Sequence, residues 1–226
     1  MPGKFDKNYT EKGYLMKYEK MPMHTEFKKQ VWQFRIELLG IEPAIWRRIQ
    51  VPSDHNFWDL HVAVNDAMGW QDYHLHHFEI KGKSKSKESL IGIPDFRGMN
   101  DEDFDVYPGW EIWMGAYFND LGIEAKYLYD YGDGWEHRVK LEGYMYREKS
   151  LKYPVCIDGA GACPPEDCGG VGGYYRMLEI LKNPSDPEHK EMKTWAGEDY
   201  DPNRFNPAEV SFDKPYKRWK NAFLDD

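Results

Sequence analysis

No run in this chain approaches the roughly 20 apolar residues that a membrane-spanning helix needs, and the mean hydropathy of -0.82 agrees. A basic excess is also missing: 30 Lys and Arg stand against 39 Asp and Glu, for a net charge of -9. Proteins that coat phosphate backbones draw affinity from Lys and Arg contacts, so the balance argues against non-specific nucleic-acid coating. Cysteine is scarce, and the three present, Cys156, Cys163 and Cys168, lie in one short stretch. An odd count argues against a closed disulfide framework. Residues 1–18 have neither the apolar core of a secretion signal nor an Arg-rich transit pattern. The expectation is a cytoplasmic protein in a reducing compartment, without a membrane partner. Signatures of common catalysts are absent too: no serine sits in a Gly-x-Ser-x-Gly elbow, and no Gly-Lys-Ser/Thr closes a phosphate loop.

Aromatic residues are abundant, with 9 Trp, 16 Tyr and 11 Phe, too many for a chain that stays unfolded for want of apolar surface. Residues 1–27 have no clear period and read as an N-terminal arm; residues 28–226 read as one domain. Trp32, Phe34, Ile36 and Leu38 alternate with polar neighbours, the mark of a half-buried strand, and Ile45 to Val51 reads as its returning partner. Asn56 suits a helix N-cap, with Asp59 three residues on and Gly69 at the far end. Residues 73–80 alternate again. A second hairpin is expected from 125–129 through the Gly132-Asp133-Gly134 turn to 135–141. Residues 153–173, rich in Gly, Pro and Cys, read as loop. Helices are expected over 174–181, from a capping box at Ser185 through Trp195, and over 216–223.

Three clusters bear on chemistry. On a strand, His74 and His76 would project from one face and could meet one metal ion; the plainer alternative is a pair of hydrogen-bonded histidines. Asp130, Asp133, Glu136 and His137 gather around the second hairpin turn, as an acid–base set or, with Trp135 among the aromatics, as turn caps and core. Cys156, Cys163 and Cys168 could join a histidine in a zinc site, although their spacing is wider than that of paired zinc knuckles; free thiols are the alternative. Gly170, Gly172 and Gly173 precede an expected helix and could bare amides to an anion, or simply allow a tight turn.

Four ordered strings carry a family resemblance: Pro43-Ala44-Ile45-Trp46-Arg47-Arg48; Met68-Gly69-Trp70 with His74-Leu75-His76-His77-Phe78; Tyr129 to His137; and Cys163-Pro164-Pro165-Glu166-Asp167-Cys168-Gly169-Gly170. Over about residues 30–210 the chain resembles the plasmid pRiA4b ORF-3-like family, also described as insertion-element passenger proteins, with Tyr131 where that family typically has Phe. The resemblance implies an α+β fold with a mixed, largely antiparallel sheet. Its N-terminal ββαβ order looks like a β-grasp (ubiquitin-like) unit, extended by the second hairpin and C-terminal helices. The resemblance brings a link to plasmids and mobile elements but no catalytic residue. The expected function is a cytosolic binding or interaction module for a protein or small anionic ligand. Its cleft would hold His74, His76, Asp130, Asp133, Trp135 and His137. The alternative is a metal-dependent hydrolase, a nuclease or phosphoesterase, using a divalent ion such as zinc at the same His/Asp cluster.

Overall fold

Period-two burial along the strands defines the architecture. A computed structural model describes Tyr18 and residues 27–81, 88–94 and 106–224. Apart from Tyr18 and Phe27, the expected N-terminal arm lies outside these residues. Strands β1 (Gln30–Leu38) and β2 (Ile45–Pro52) form the first hairpin. After helix α1 (Phe57–Met68) come β3 (His76–Ile80), β4 (Ser89–Gly92) and β5 (Val106–Pro108). The second hairpin is β6 (Glu124–Tyr129) and β7 (Trp135–Tyr146), followed by β8 (Val155–Ala160). Helices α2 (Gly170–Lys182), α3 (His189–Ala196) and α4 (Pro215–Phe223) close the chain.

The eight strands make one sheet in the order β5-β4-β3-β6-β7-β1-β2-β8. Every neighbouring pair is antiparallel except β4 and β5. The fold is therefore α+β with a mixed, mostly antiparallel sheet. The ββαβ order expected of a β-grasp unit is present along the chain, and β6 and β7 stand between β3 and β1. The second hairpin thus fills the middle of the sheet. The long β7 makes this possible, pairing with β1 along Gln30–Leu38 and with β6 along Glu124–Tyr129.

One sheet face is apolar, built from Phe34, Ile36, Ile49, Phe78, Tyr127, Trp135 and Val139 among others, all buried. The other face carries charge in alternation, with Arg48 between Glu142 and Asp158 and Lys126 between Glu79 and Glu136. Helix α1 lies on the apolar face. Asn56 and Asp59 form its reciprocal capping box, and Gly69 ends it at φ 87°, a left-handed conformation that glycine adopts without a Cβ clash. Every α1 residue except Asp66 is buried, because its far side packs Trp58 and Val62 against Trp110 and Trp219. Trp219 belongs to α4, and Tyr18 packs against Trp219 and hydrogen-bonds Asp59.

Several expected boundaries move. Strand β3 begins at His76 instead of residue 73, β8 forms within the stretch read as loop, and α2 begins at Gly170. The Ser185 capping box does not form; α3 starts at His189 after Glu188, which makes no side-chain cap.

Candidate functional site

The segment between α1 and β3 decides where the histidines go. Trp70 follows Gly69 and stacks on Tyr129 at 5.1 Å and 17°. Asp72 then takes a left-handed backbone, φ 65°, and the chain enters β3 only at His76. His74 therefore lies outside the strand, and the shared face expected for His74 and His76 is lost. His76 turns inward, fully buried, and stacks on His61 of α1. His74 stays half-buried at the rim.

At that rim three side chains converge. His74 Nε2 lies 3.2 Å from Asp167 Oδ1 and 3.6 Å from Asp130 Oδ2, and one ligand atom of each residue lies within 4.8 Å of the others. Asp130 sits in the second hairpin turn at φ 58°, and its Oδ1 accepts from the Gly132 and Asp133 amides. Asp167 follows the Pro164-Pro165-Glu166 stretch at φ 60° with its side chain 69% exposed. The ring edge is held by Tyr129, 5.7 Å away and perpendicular. Tyr129 is itself fixed, donating to Glu166 Oε1 at 2.5 Å and accepting from the Tyr73 amide.

The other expected site residues fall elsewhere. Asp133 Oδ2 accepts from the Gly169 amide at 3.1 Å, so the chain's own carboxylate sits at the N-terminus of α2. Gly170 and Gly173 serve close packing: a Cβ would come within 2.3 Å of the Asp133 carbonyl oxygen at Gly170 and 1.8 Å of the Cys168 carbonyl oxygen at Gly173. Gly172 faces open space. Trp135 is buried 5.7 Å from Trp70. His137 is also fully buried, with Nδ1 3.3 Å from the Tyr127 carbonyl oxygen. Burial pushes its pKa down to about 4, so the ring is neutral near pH 7. The single cleft expected from six residues is thus divided into a rim and a core.

Among the described residues, no cysteine enters a group of three potential ligands within 4.8 Å. Cys156 Sγ contacts the Asp158 carbonyl oxygen, Cys163 Sγ contacts Met68 Sδ, and Cys168 Sγ contacts the Gly170 carbonyl oxygen. Burial raises the Cys156 thiol pKa and pushes those of Cys163 and Cys168 up to about 12. With no ion beside them these groups are thiols at neutral pH.

Asp167 also lines a cavity of about 630 Å³ beside α2 and α3, with Arg176, Met177, Met192 and Trp195. That volume is within the usual range for small-molecule sites. Arg176 Nη2 bonds both oxygens of Glu188 at 3.1 and 3.3 Å. A larger cavity of about 860 Å³ shares only Cys156 with the expected site residues. The sequence reading missed Asp167 and Trp195, and it missed His61 and Asp72, whose ligand atoms lie within 4.8 Å of each other and of one on His76. Trp58, His61, Val62 and Asn65 recur at helical spacing, which marks a second buried stripe on α1. Asp167 lay within the Cys163-Pro164-Pro165-Glu166-Asp167-Cys168 string.

An eight-stranded α+β fold with this rim defines the class, and sequence comparison supplies the family. The chain belongs to the plasmid pRiA4b ORF-3-like family, whose model matches residues 30–209. It is 32% identical over 183 residues to the uncharacterized protein y4hQ of Sinorhizobium fredii strain NGR234, covering 80% of this chain and 89% of that one. Its fold is similar to the crystal structure of MM3350, a protein of unknown function from Methanosarcina mazei Go1. That match has a TM-score of 0.73 and 38% identity, covering 81% of this chain and 98% of the other.

Proposed function

We propose that the protein is a binding module whose ligand is anchored by a divalent metal ion at His74, Asp130 and Asp167. The reading rests on their convergence from three separate segments within 4.8 Å. One imidazole and two carboxylates suit ions such as Mn²⁺ or Zn²⁺. The exposed Asp167 belongs both to this group and to the cavity wall, so an anionic group on the ion would project its organic part toward Met177, Met192 and Trp195. Trp195, 48% exposed, takes the recognition role that the sequence suggested for Trp135.

Isothermal titration with Mn²⁺ and Zn²⁺ tests the ion, and inorganic phosphate probes the anion. His74→Ala and Asp167→Asn are each expected to weaken the rapidly exchanging ion at least about tenfold. Trp195→Ala should leave that ion bound. Equal affinity in the wild type and both ligand variants would show that His74 only bridges two carboxylates. The exposure of Asp167 also favours a second reading, metal-assisted hydrolysis, since coordination positions would stay open to water. Metal-dependent turnover of bis(p-nitrophenyl) phosphate, lost in Asp167→Asn, distinguishes it from binding alone.

A further inference from the structure

We propose that His61, Asp72 and His76 form a second, buried site for one divalent transition-metal ion of the zinc class. Their ligand atoms lie within 4.8 Å of one another, and none of the three belongs to the rim group. His76 carries it. The residue is completely buried, and neither Nδ1 nor Nε2 has a hydrogen-bond partner. Native proteins leave few buried polar atoms unsatisfied, and each such case calls for an explanation, an ion among them.

His61 shows the arrangement around its own ring. Its Nδ1 lies 2.8 Å from Tyr127 Oη, which also accepts from Asn65 Nδ2 at 3.2 Å. With the proton on Nδ1 donated to that oxygen, which can accept twice, Nε2 would keep a lone pair for an ion. That is how metal-bound histidines are oriented by their outer partners. Nε2 in turn lies 2.9 Å from Asp72 Oδ1 yet makes no hydrogen bond in direction. In that tautomer both atoms are electron-rich, and a cation between them would relieve their repulsion. Ligand atoms on one zinc ion, at bonds of about 2.0–2.2 Å, are separated by roughly such distances.

The His61 and His76 rings stack face to face, 3.3 Å between centroids and 8° from parallel, so a turn of the His76 ring would bring its in-plane lone pair to an ion held by His61 and Asp72. Charge points the same way. Asp66 and Asp72, whose side chains are 7% and 6% exposed, share one guanidinium: Arg218 lies 2.6 Å from Asp66 and 3.5 Å from Asp72. Two carboxylates against one cation leave a buried negative charge that a dication would offset. Trp58, 5.1 Å from His61 and 5.8 Å from His76, supplies an apolar wall. Two imidazoles with one carboxylate are a zinc-type donor set.

The experiment is metal counting on the full chain, grown with zinc, treated with a weak chelator and desalted. One tightly held ion per chain is expected in the wild type and in Asp167→Asn, which alters only the rim. His76→Phe and Asp72→Asn should each reduce the count to near zero; asparagine tolerates the left-handed backbone at position 72. Thermal unfolding gives a second readout. With an ion present, His76→Phe lowers Tm and abolishes its sensitivity to strong chelator. Without one, exchanging an orphaned imidazole for a hydrocarbon ring leaves Tm unchanged or raises it, which would overturn the proposal. So would an unaltered count in both variants, or a tight ion lost in Asp167→Asn. Should both inner variants fail to fold, titration of metal-stripped wild type with Co²⁺ decides. Failure to bind Co²⁺ tightly at one per chain also overturns the assignment.

Discussion

Among the described residues, Asp72, Asp130 and Asp167 are the non-glycine positions with a left-handed backbone, and each belongs to one of the two His/Asp groups. Aspartate visits that region more readily than most side chains, so it can turn the chain sharply and still offer a carboxylate. Strained backbone concentrates at functional sites, and here it aims three potential ligands. Burial acts on the histidines with equal consequence. His137 has an ordinary pKa of 6.5 when the chain is unfolded and about 4 when folded. Between those values the unfolded chain holds a proton that the native protein does not. The stabilisation is therefore complete above pH 6.5 and is lost as pH falls to 4, an effect of about 3 kcal/mol. Urea unfolding between pH 4 and 7 should show His137→Leu with a shallower pH slope than the wild type, by up to about 1.4 kcal/mol per pH unit. An unchanged slope would mean that His137 does not titrate in this window.

The elements most legible in the sequence were those whose local signals agreed. β1 and β2 follow strict alternation, and α1 has its stripe, its capping pair and its terminal glycine. Asn56 does more than a cap requires: Oδ1 accepts from the Asp59 amide at 2.8 Å, and Nδ2 donates to the Trp110 carbonyl oxygen at 3.0 Å. Asn56→Ala should cost about 1–2 kcal/mol by chemical denaturation, and a loss below about 0.5 kcal/mol would show that neither bond contributes. β8 was hidden because its sequence is shaped by what lies against it. A Cβ on Gly159 would come within 2.4 Å of the Phe205 ring and 2.7 Å of the Trp46 carbonyl oxygen, so a strand position carries a residue that reads as loop. The candidate site was half legible for a similar reason. His74 and Asp130 stood out by type and proximity, whereas Asp167 reaches them, and His61 reaches His76, only through the fold. Trp135 and His137 resembled site residues, but alternation on β7 turns them inward with Val139 and Leu141.

At the scale of the molecule, α4 covers the far side of α1 and lies beyond the matched residues 30–209. Trp219, 2% exposed, meets Trp110, and Arg218 reaches Asp66 and Asp72. Trp219→Ala should cost about 3–5 kcal/mol and open the C-terminal helix to limited proteolysis while the sheet persists. Cleavage no faster than in the wild type would show that the remaining contacts, Arg218 with Asp66 and Phe223 with Trp58 and Trp110, hold the helix. The order of the strands sets a further requirement, in time. β1 is an interior strand, yet its second neighbour is β7, ending at Tyr146. During synthesis at roughly 5–20 residues per second, the β1 edge of the first hairpin therefore waits about 5–20 s for its partner, and the β2 edge waits longer, for β8. Such distant pairing slows folding and exposes strand edges. The newborn chain thus has a vulnerable interval that the finished protein does not, shortened by the central hairpin and ended by β8.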